Sequence, residues 1–357
     1  MGPLKLRGEI KMRQAIRPSN SILHRNGIIA RAVGLFGIVM TSAISANAAD
    51  QITIQLDFTY IRGNYAPFFI ARANGMFKEE NIEVTDIRMG RGSADTSQRI
   101  GQGTSQFGFA DLATALVVRS QGAPIKAILA TNVVSPLAML SLNAKHSLKK
   151  PKDLEGQSIA VTPALSTYYF FRAFAAANGV DLSKVTEVSA APPYEPLLLA
   201  GRVTALPGYI DAEIPILAAH AGGLSKLDVL RGEEYGYKAF GTGIITSDKV
   251  IKEQPKLVER FIRAYQKAFK LTIEKPQQAV DVLMAVDPKL DRAVLLAQLE
   301  ADIKYTFTNA STDKCGLGYM DPARWQSTLN VLVTQKVIST APKLEDVYTN
   351  KFIGGRC

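Results

Sequence analysis

Residues Tyr65–Val84 read YAPFFIARANGMFKEENIEV. The apolar run through Phe68, Phe69 and Ile70 predicts a helix over 64–74. Asn64 is placed to cap its start and Gly75 to stop it. The tail of the stretch then predicts a strand over 81–89. Just upstream, QITIQLDF (51–58) alternates apolar and polar residues, as a half-buried strand does. Strand, helix and strand in this order are the opening of an α/β layer.

The alternation continues. Ser93 starts a helix that runs to about Ile100, 107–110 is a strand, and Asp111 caps a helix that runs to about Gln121. Residues 125–133 and 137–142 are strands joined by a turn at Ser135-Pro136. A second cycle follows Pro151. It has a strand over 158–161, a helix capped by Ser166 or Thr167 and stopped by Gly179, and strands over 185–190, 206–210 and 227–230. Residues 194–200 form a short helix, and Asp211 opens another. After a last strand over 239–246, nearly everything to 336 is helical. Two βα cycles and a helical tail imply two parallel-rich sheets flanked by helices.

The chain has 357 residues and a net charge of +10. Residues 1–48 hold seven of the basic residues against a lone Glu9, so they contribute +6 and the rest only +4. That residue of charge asks for no nucleic-acid partner. The leader itself has a basic region to Arg31, an apolar core AVGLFGIVM (32–40) and Ala46-Asn47-Ala48, the layout of a secretory signal peptide. Its apolar core is far short of the roughly 20 residues that span a bilayer. Cleavage is expected near Ala48, with translation starting at Met1 or Met12, and the mature protein is expected in the periplasm. Cys315 and Cys357 are the only cysteines. An even count in an oxidising compartment predicts one disulfide between them, worth roughly 3–4 kcal/mol. No His or Cys spacing suits a metal.

Four strings then carry a family resemblance. They are Gly75–Val84 (GMFKEENIEV), Ile100–Gly108 (IGQGTSQFG), Asp153–Val161 (DLEGQSIAV) and Gly318–Trp325 (GYMDPARW). In this order the chain resembles the periplasmic solute-binding proteins of ABC importers of the nitrate/taurine/sulfonate type, including the thiamine-pyrimidine-precursor-binding (NMT1/THI5-like) branch. Asn81 stands where that pattern often has Gly, and Phe58-Thr59-Tyr60 where the thiamine-precursor branch often has Trp. The resemblance implies a bilobed Venus-flytrap fold of type II with two hinge crossings, near 140–143 and 240–243. Lobe one would comprise 49–140 plus 244–357, and lobe two 141–243. It also implies an ABC permease as partner and a monomeric receptor.

The loop Gly90-Arg91-Gly92 invites comparison with a dinucleotide fingerprint. Asp95 stands where a third glycine or alanine belongs, and its charge would oppose a pyrophosphate. No cofactor is expected. The backbone N–H groups at the start of the following helix still favour an anionic or strongly accepting group. The family's helix starts converge on the cleft, which makes Tyr60, Asn64, Tyr65, Arg91, Gly92, Ser93 and Asp111 the candidate ligand residues of lobe one. Those of lobe two are Ser166, Thr167, Tyr168, Tyr209 and Asp211. Arg62 or Arg91 could pair with an acid, and Glu195 and Glu213 read as solvated. The solute would be a sulfonate, an aromatic acid or a pyrimidine-like compound. No catalytic motif is present: His146 and His220 sit in surface-like contexts, and no G-x-S-x-G or H-E-x-x-H occurs. A ligand-sensing module and an enzyme of thiamine-pyrimidine metabolism are the alternatives to a transport receptor.

Overall fold

The computed structural model describes residues 48–163, 165–354 and 357. The expected leader, up to residue 47, lies outside the described residues.

Ten strands form two five-stranded sheets. They are β1 (Asp50–Gln55), β2 (Ile82–Arg88), β3 (Phe107–Asp111), β4 (Ile125–Ala130), β5 (Leu137–Leu142), β6 (Ser158–Val161), β7 (Thr186–Ser189), β8 (Ala205–Tyr209), β9 (Leu227–Arg231) and β10 (Thr242–Ser247). The first sheet has the order β2-β1-β3-β10-β4 and the second β7-β6-β8-β5-β9. Four strands of each run parallel, joined through helices. β10 in the first sheet and β5 in the second run antiparallel to both neighbours. Each of these two strands is the one that has crossed over from the other half of the molecule, which is why it enters the sheet reversed.

The chain therefore passes between the sheets twice, once between β4 and β5 and once between β9 and β10. The first crossing lies over residues 131–136, earlier than expected, because β5 as a whole pairs with β8 and β9. The two crossings run side by side. Asn132 N–H donates to Thr242 O (2.8 Å), Gly241 N–H to Asn132 O (2.9 Å) and Ser135 N–H to Ala239 O (3.0 Å).

The opening string folds much as its pattern dictates. A 3-10 turn (Gly63–Tyr65) leads into a helix (Ala66–Ala73), and Gly75 takes the left-handed φ of 72° that ends it. Asn64 lies inside the turn, with no side-chain cap there. Phe68 and the β3 residues Phe107 and Phe109 pack under the long helix Pro255–Glu274, whose buried face includes Leu257, Phe261, Tyr265 and Phe269 at helical spacing. Phe107 stacks on Phe261 with centroids 3.7 Å apart. The C-terminal segment wraps back on the same half. Tyr348 stacks on Trp325, Thr349 N–H donates to Ala127 O, and Cys357 is joined to Cys315, with Cα atoms 5.1 Å apart. No helix among the described residues is long and apolar enough to cross a membrane.

Candidate functional site

The two sheets present their loops to each other. Between them is a narrow cavity lined from the first half by Asp57, Phe58, Arg62, Gly92 and Ser93, and from the second by Leu165–Thr167, Pro192, Tyr194, Tyr209 and Glu213. Its free space is about 20 Å³, room for little more than one water. The loops meet closely there. Gly92 has φ 130°, and a Cβ built on it would stand 2.6 Å from Leu165 Cδ2.

Arg62 is the centre of the site. Its Nη2 donates to Asp57 Oδ1 (3.2 Å) and to Tyr65 OH (3.1 Å), and Tyr65 OH donates to the same Asp57 oxygen (2.6 Å). Both ends of the ion pair are buried, each side chain 5% exposed. The guanidinium also lies over three rings, with centroids 5.0 Å away for Phe58, 5.2 Å for Tyr65 and 5.7 Å for Tyr209 from the opposite sheet. Burial alone would lower the Arg62 pKa, but Tyr65 and Asp57 hold it well above its usual value.

The glycine loop has its anion already, and it belongs to the chain. Ser93 Oγ donates to Asp57 Oδ2 (2.9 Å) and accepts from Asp111 N–H (2.9 Å). Ser93 is thus the first residue of the helix Ser93–Gly101 and not its cap; Gly92 holds the capping position. Asp111 does cap the next helix, accepting from Thr114 N–H at 2.8 Å. Burial pushes the Asp111 carboxyl up to about 7, against the Thr114 hydrogen bonds that lower it.

The other wall holds further acids. Glu213 accepts from Tyr209 N–H (2.6 Å). Burial, with Glu195 adding repulsion, pushes Glu213 up to about 8. Burial also raises Glu195 and Asp211. The expectation that Glu195 and Glu213 are solvated is corrected here: they are 3% and 9% exposed, because the loop before Tyr194 and the β8 turn fold over them. Ser166 Oγ and Tyr209 OH share a hydrogen bond of 2.6 Å, and Tyr194 OH donates to Thr162 Oγ1. Neither Ser166 nor Thr167 caps its helix; Leu165 holds that position.

A larger apolar hollow, about 380 Å³, lies on the far side of 210–214 between Ile214, Ala218, Leu224, Ala301 and Tyr305. Arg231 is its only charged lining residue. A ligand site needs several placed polar groups, and the narrow cavity has them.

The NMT1/THI5-like family model matches residues 62–279, a span from the Arg62 turn to the helix beyond the second crossing. The chain belongs to the NMT1/THI5-like family. The riboflavin-binding protein RibY of Chloroflexus aurantiacus is 26% identical over 88% of this chain and 90% of its own length. A formylaminopyrimidine-binding protein of Halalkalibacterium halodurans is 21% identical over 87% of this chain and 92% of its own. A Legionella pneumophila relative at 20% identity, over 85% of this chain and 92% of its own, is named 4-amino-5-hydroxymethyl-2-methylpyrimidine phosphate synthase. Among solved structures, the alkanesulfonate-binding protein SsuA of Xanthomonas axonopodis pv. citri superposes with a TM-score of 0.65 at 15% identity, covering 85% of this chain and 99% of that one. The fold is thus that of the periplasmic binding proteins.

Within this NMT1/THI5-like chain, Gly92, Ser93, Ser166, Thr167 and Tyr209 line the cavity. Tyr65 and Asp111 stand directly behind it, through Asp57 and Ser93. Tyr60 packs edge-on against Phe58, which lines it. Asp211 is buried at the meeting of the two halves. Asn64 is buried in its turn, away from the lining. Two expected residues are elsewhere. Arg91 is exposed, and Arg62 takes the role left open between them. Tyr168 is half-buried and packs against the core of the second sheet. Asp57, Tyr194 and Glu213 were not among the candidates. For Asp57 the signal was present: an acid at the end of a predicted strand that otherwise alternates faces.

Proposed function

We propose that this protein is the extracytoplasmic solute receptor of an ABC importer, exported by its leader, and that it closes two lobes on a planar, hydrogen-bond-donating heterocycle before meeting its permease. The lobes follow the two sheets, with the crossings at 131–136 and around 241 as hinges. The observation that carries the solute class is the charge of the cleft. Its one cation, Arg62, is already paired with Asp57 and stacked between rings. Around it stand Glu195, Asp211 and Glu213, carboxyls whose burial favours the protonated form. A sulfonate or carboxylate would face these acids with no free cation. Ring N–H or amino groups would hydrogen-bond to them, and Phe58, Tyr194 and Tyr209 offer flat surfaces. The names of two relatives, which bind riboflavin and a formylaminopyrimidine, point the same way.

The test is a thermal-shift screen of the mature protein against aminopyrimidines, flavins, sulfonates and aromatic acids. A true solute at a hundredfold excess over its Kd stabilises by about 2.7 kcal/mol. Stabilisation by heterocycles alone supports the reading. A sulfonate or aromatic acid as the sole hit sinks the solute class, and turnover of a bound heterocycle sinks the receptor.

A further inference from the structure

The cavity does not use every buried acid. Asp302, on the helix Arg292–Tyr305 of the first half, is fully buried. One of its carboxyl oxygens accepts from Asn132 Nδ2 (2.5 Å) and Thr306 Oγ1 (2.7 Å). Its other oxygen, Oδ2, is buried and takes no N–H or O–H. Asp211, from the opposite half, is 2% exposed, and its Oδ1 is buried in the same condition. The two carboxyls lie within hydrogen-bonding reach of each other. Two ionised carboxylates cannot bond to one another, so both oxygens lack partners unless a proton lies between them. One turn earlier on the same helix, Gln298 Nε2 donates across the divide to Ala212 O (3.3 Å), while its Oε1 accepts from Gly63 N–H (3.1 Å). The face 298–302 is therefore docked on 211–212.

We propose that Asp302 is a positioning residue that holds Asp211 across the closed cleft through one shared proton, so that closing the lobes takes up a proton and raising the pH opens them. The proposal rests on the two-lobe closure just described. The groups that face the pair leave it this way. From the Asp211 side these are Arg62, Asp57 and Glu213, and from the Asp302 side Asn132, Thr306 and Tyr265. The single cation among them is engaged by Asp57. Burial drives the Asp302 carboxyl well above its ordinary range, with Asp211 adding repulsion. On opening, both acids meet water and regain ordinary acidity, so the open form releases the proton that the closed form holds. A closed state that binds one more proton than the open state loses tenfold in closed-to-open ratio per pH unit.

The experiment is electron–electron resonance between spin labels on the mature, solute-free protein. The labels are carried by unnatural residues at the exposed Lys150 and Lys289, and the pH runs from about 5 to 9. Wild type should show a closed fraction that falls with pH. Asp302→Asn should remain closed and lose about tenfold per pH unit less, because its amide N–H replaces the shared proton on Asp211 while its oxygen still accepts from Asn132. Asp211→Asn should do the same from the other lobe, and Asp302→Ala should open at every pH. Asp302→Asn leaves the neighbours of Glu213, Glu195 and Asp111 in place, so the difference in slope of that variant isolates the pair. Equal slopes in wild type and both Asn variants, or a wild type with no pH response, would overturn the proposal. Solute stabilisation that persists alongside equal slopes would leave the receptor reading standing and remove only the proton.

Discussion

Asp57→Asn is the sharpest perturbation of the site. It removes the negative charge that neutralises Arg62 while keeping the size of the side chain. Both partners are 5% exposed, so water cannot replace the lost charge. Breaking a buried ion pair from one side typically costs about 3–5 kcal/mol, because the remaining charge stays buried. The new amide also points an N–H group at Ser93 Oγ, where that hydroxyl now donates. Removing both charges, as Asp57→Asn with Arg62→Met, should recover most of the loss, since apolar replacements of buried pairs are often nearly neutral. Trp325 is the chain's single tryptophan and is fully buried against Tyr348, which makes its fluorescence a direct probe of urea unfolding. With a slope near 3 kcal/mol per M, the single variant should lower the midpoint by about 1 M or more. A loss under about 1 kcal/mol, or a double variant no better than the single one, would show that Asp57 does not hold Arg62.

Four other outcomes follow from the same geometry. Glu213 is raised to about 8 when folded, against 4.5 as a free side chain, so the folded state holds the extra proton between those values and stability falls as pH rises from about 5 to 8. Glu213→Gln should flatten that slope by at most about 1.4 kcal/mol per pH unit, read from urea midpoints at several pH values; an unchanged slope refutes the assignment. Gly92→Ala would drive a methyl into Leu165 and should weaken solute binding at least tenfold with little change in urea midpoint, and undiminished affinity in calorimetry contradicts the tight approach of the loops. Tyr168→Ala should cost stability and leave affinity nearly intact, whereas Tyr209→Ala should weaken binding, so a reversal of the two by thermal shift and calorimetry counts against their placement. Mass spectrometry of the unreduced mature protein should find Cys315 joined to Cys357, and free thiols there remove the staple.

The order of strands and helices was legible because local signals decide it. Alternation in 51–58, the stop at Gly75 and the cap at Asp111 are short-range physics, and the structure keeps all three. The first crossing was misplaced because 125–133 and 137–142 are both buried apolar strands. Nothing in their composition says which sheet each one joins; that depends on pairing with β8 and β9, far away in sequence. The same limit explains the site. Ser93, Ser166 and Tyr209, read from helix and strand ends, line the narrow cavity. Glu195 and Glu213 were read as solvated because an isolated glutamate usually is. Their burial comes from the β8 turn and the loop before Tyr194 packing together, a tertiary contact that no window of sequence contains.

The glycine loop shows how such packing changes meaning as well as place. A helix start behind Gly90-Arg91-Gly92 favours negative charge. The carboxylate beside it is Asp57, five residues before Arg62 and on another loop, which accepts from the Ser93 hydroxyl. Arg62, the one cation among the lining residues, is paired with Asp57, and Glu213 stands on the opposite wall. Residues 49–357, with a net charge of +4, thus fold around a cavity lined by two acids and one arginine. The sign of the whole says nothing about the cavity, because the charges that line it are the few that folding removes from water.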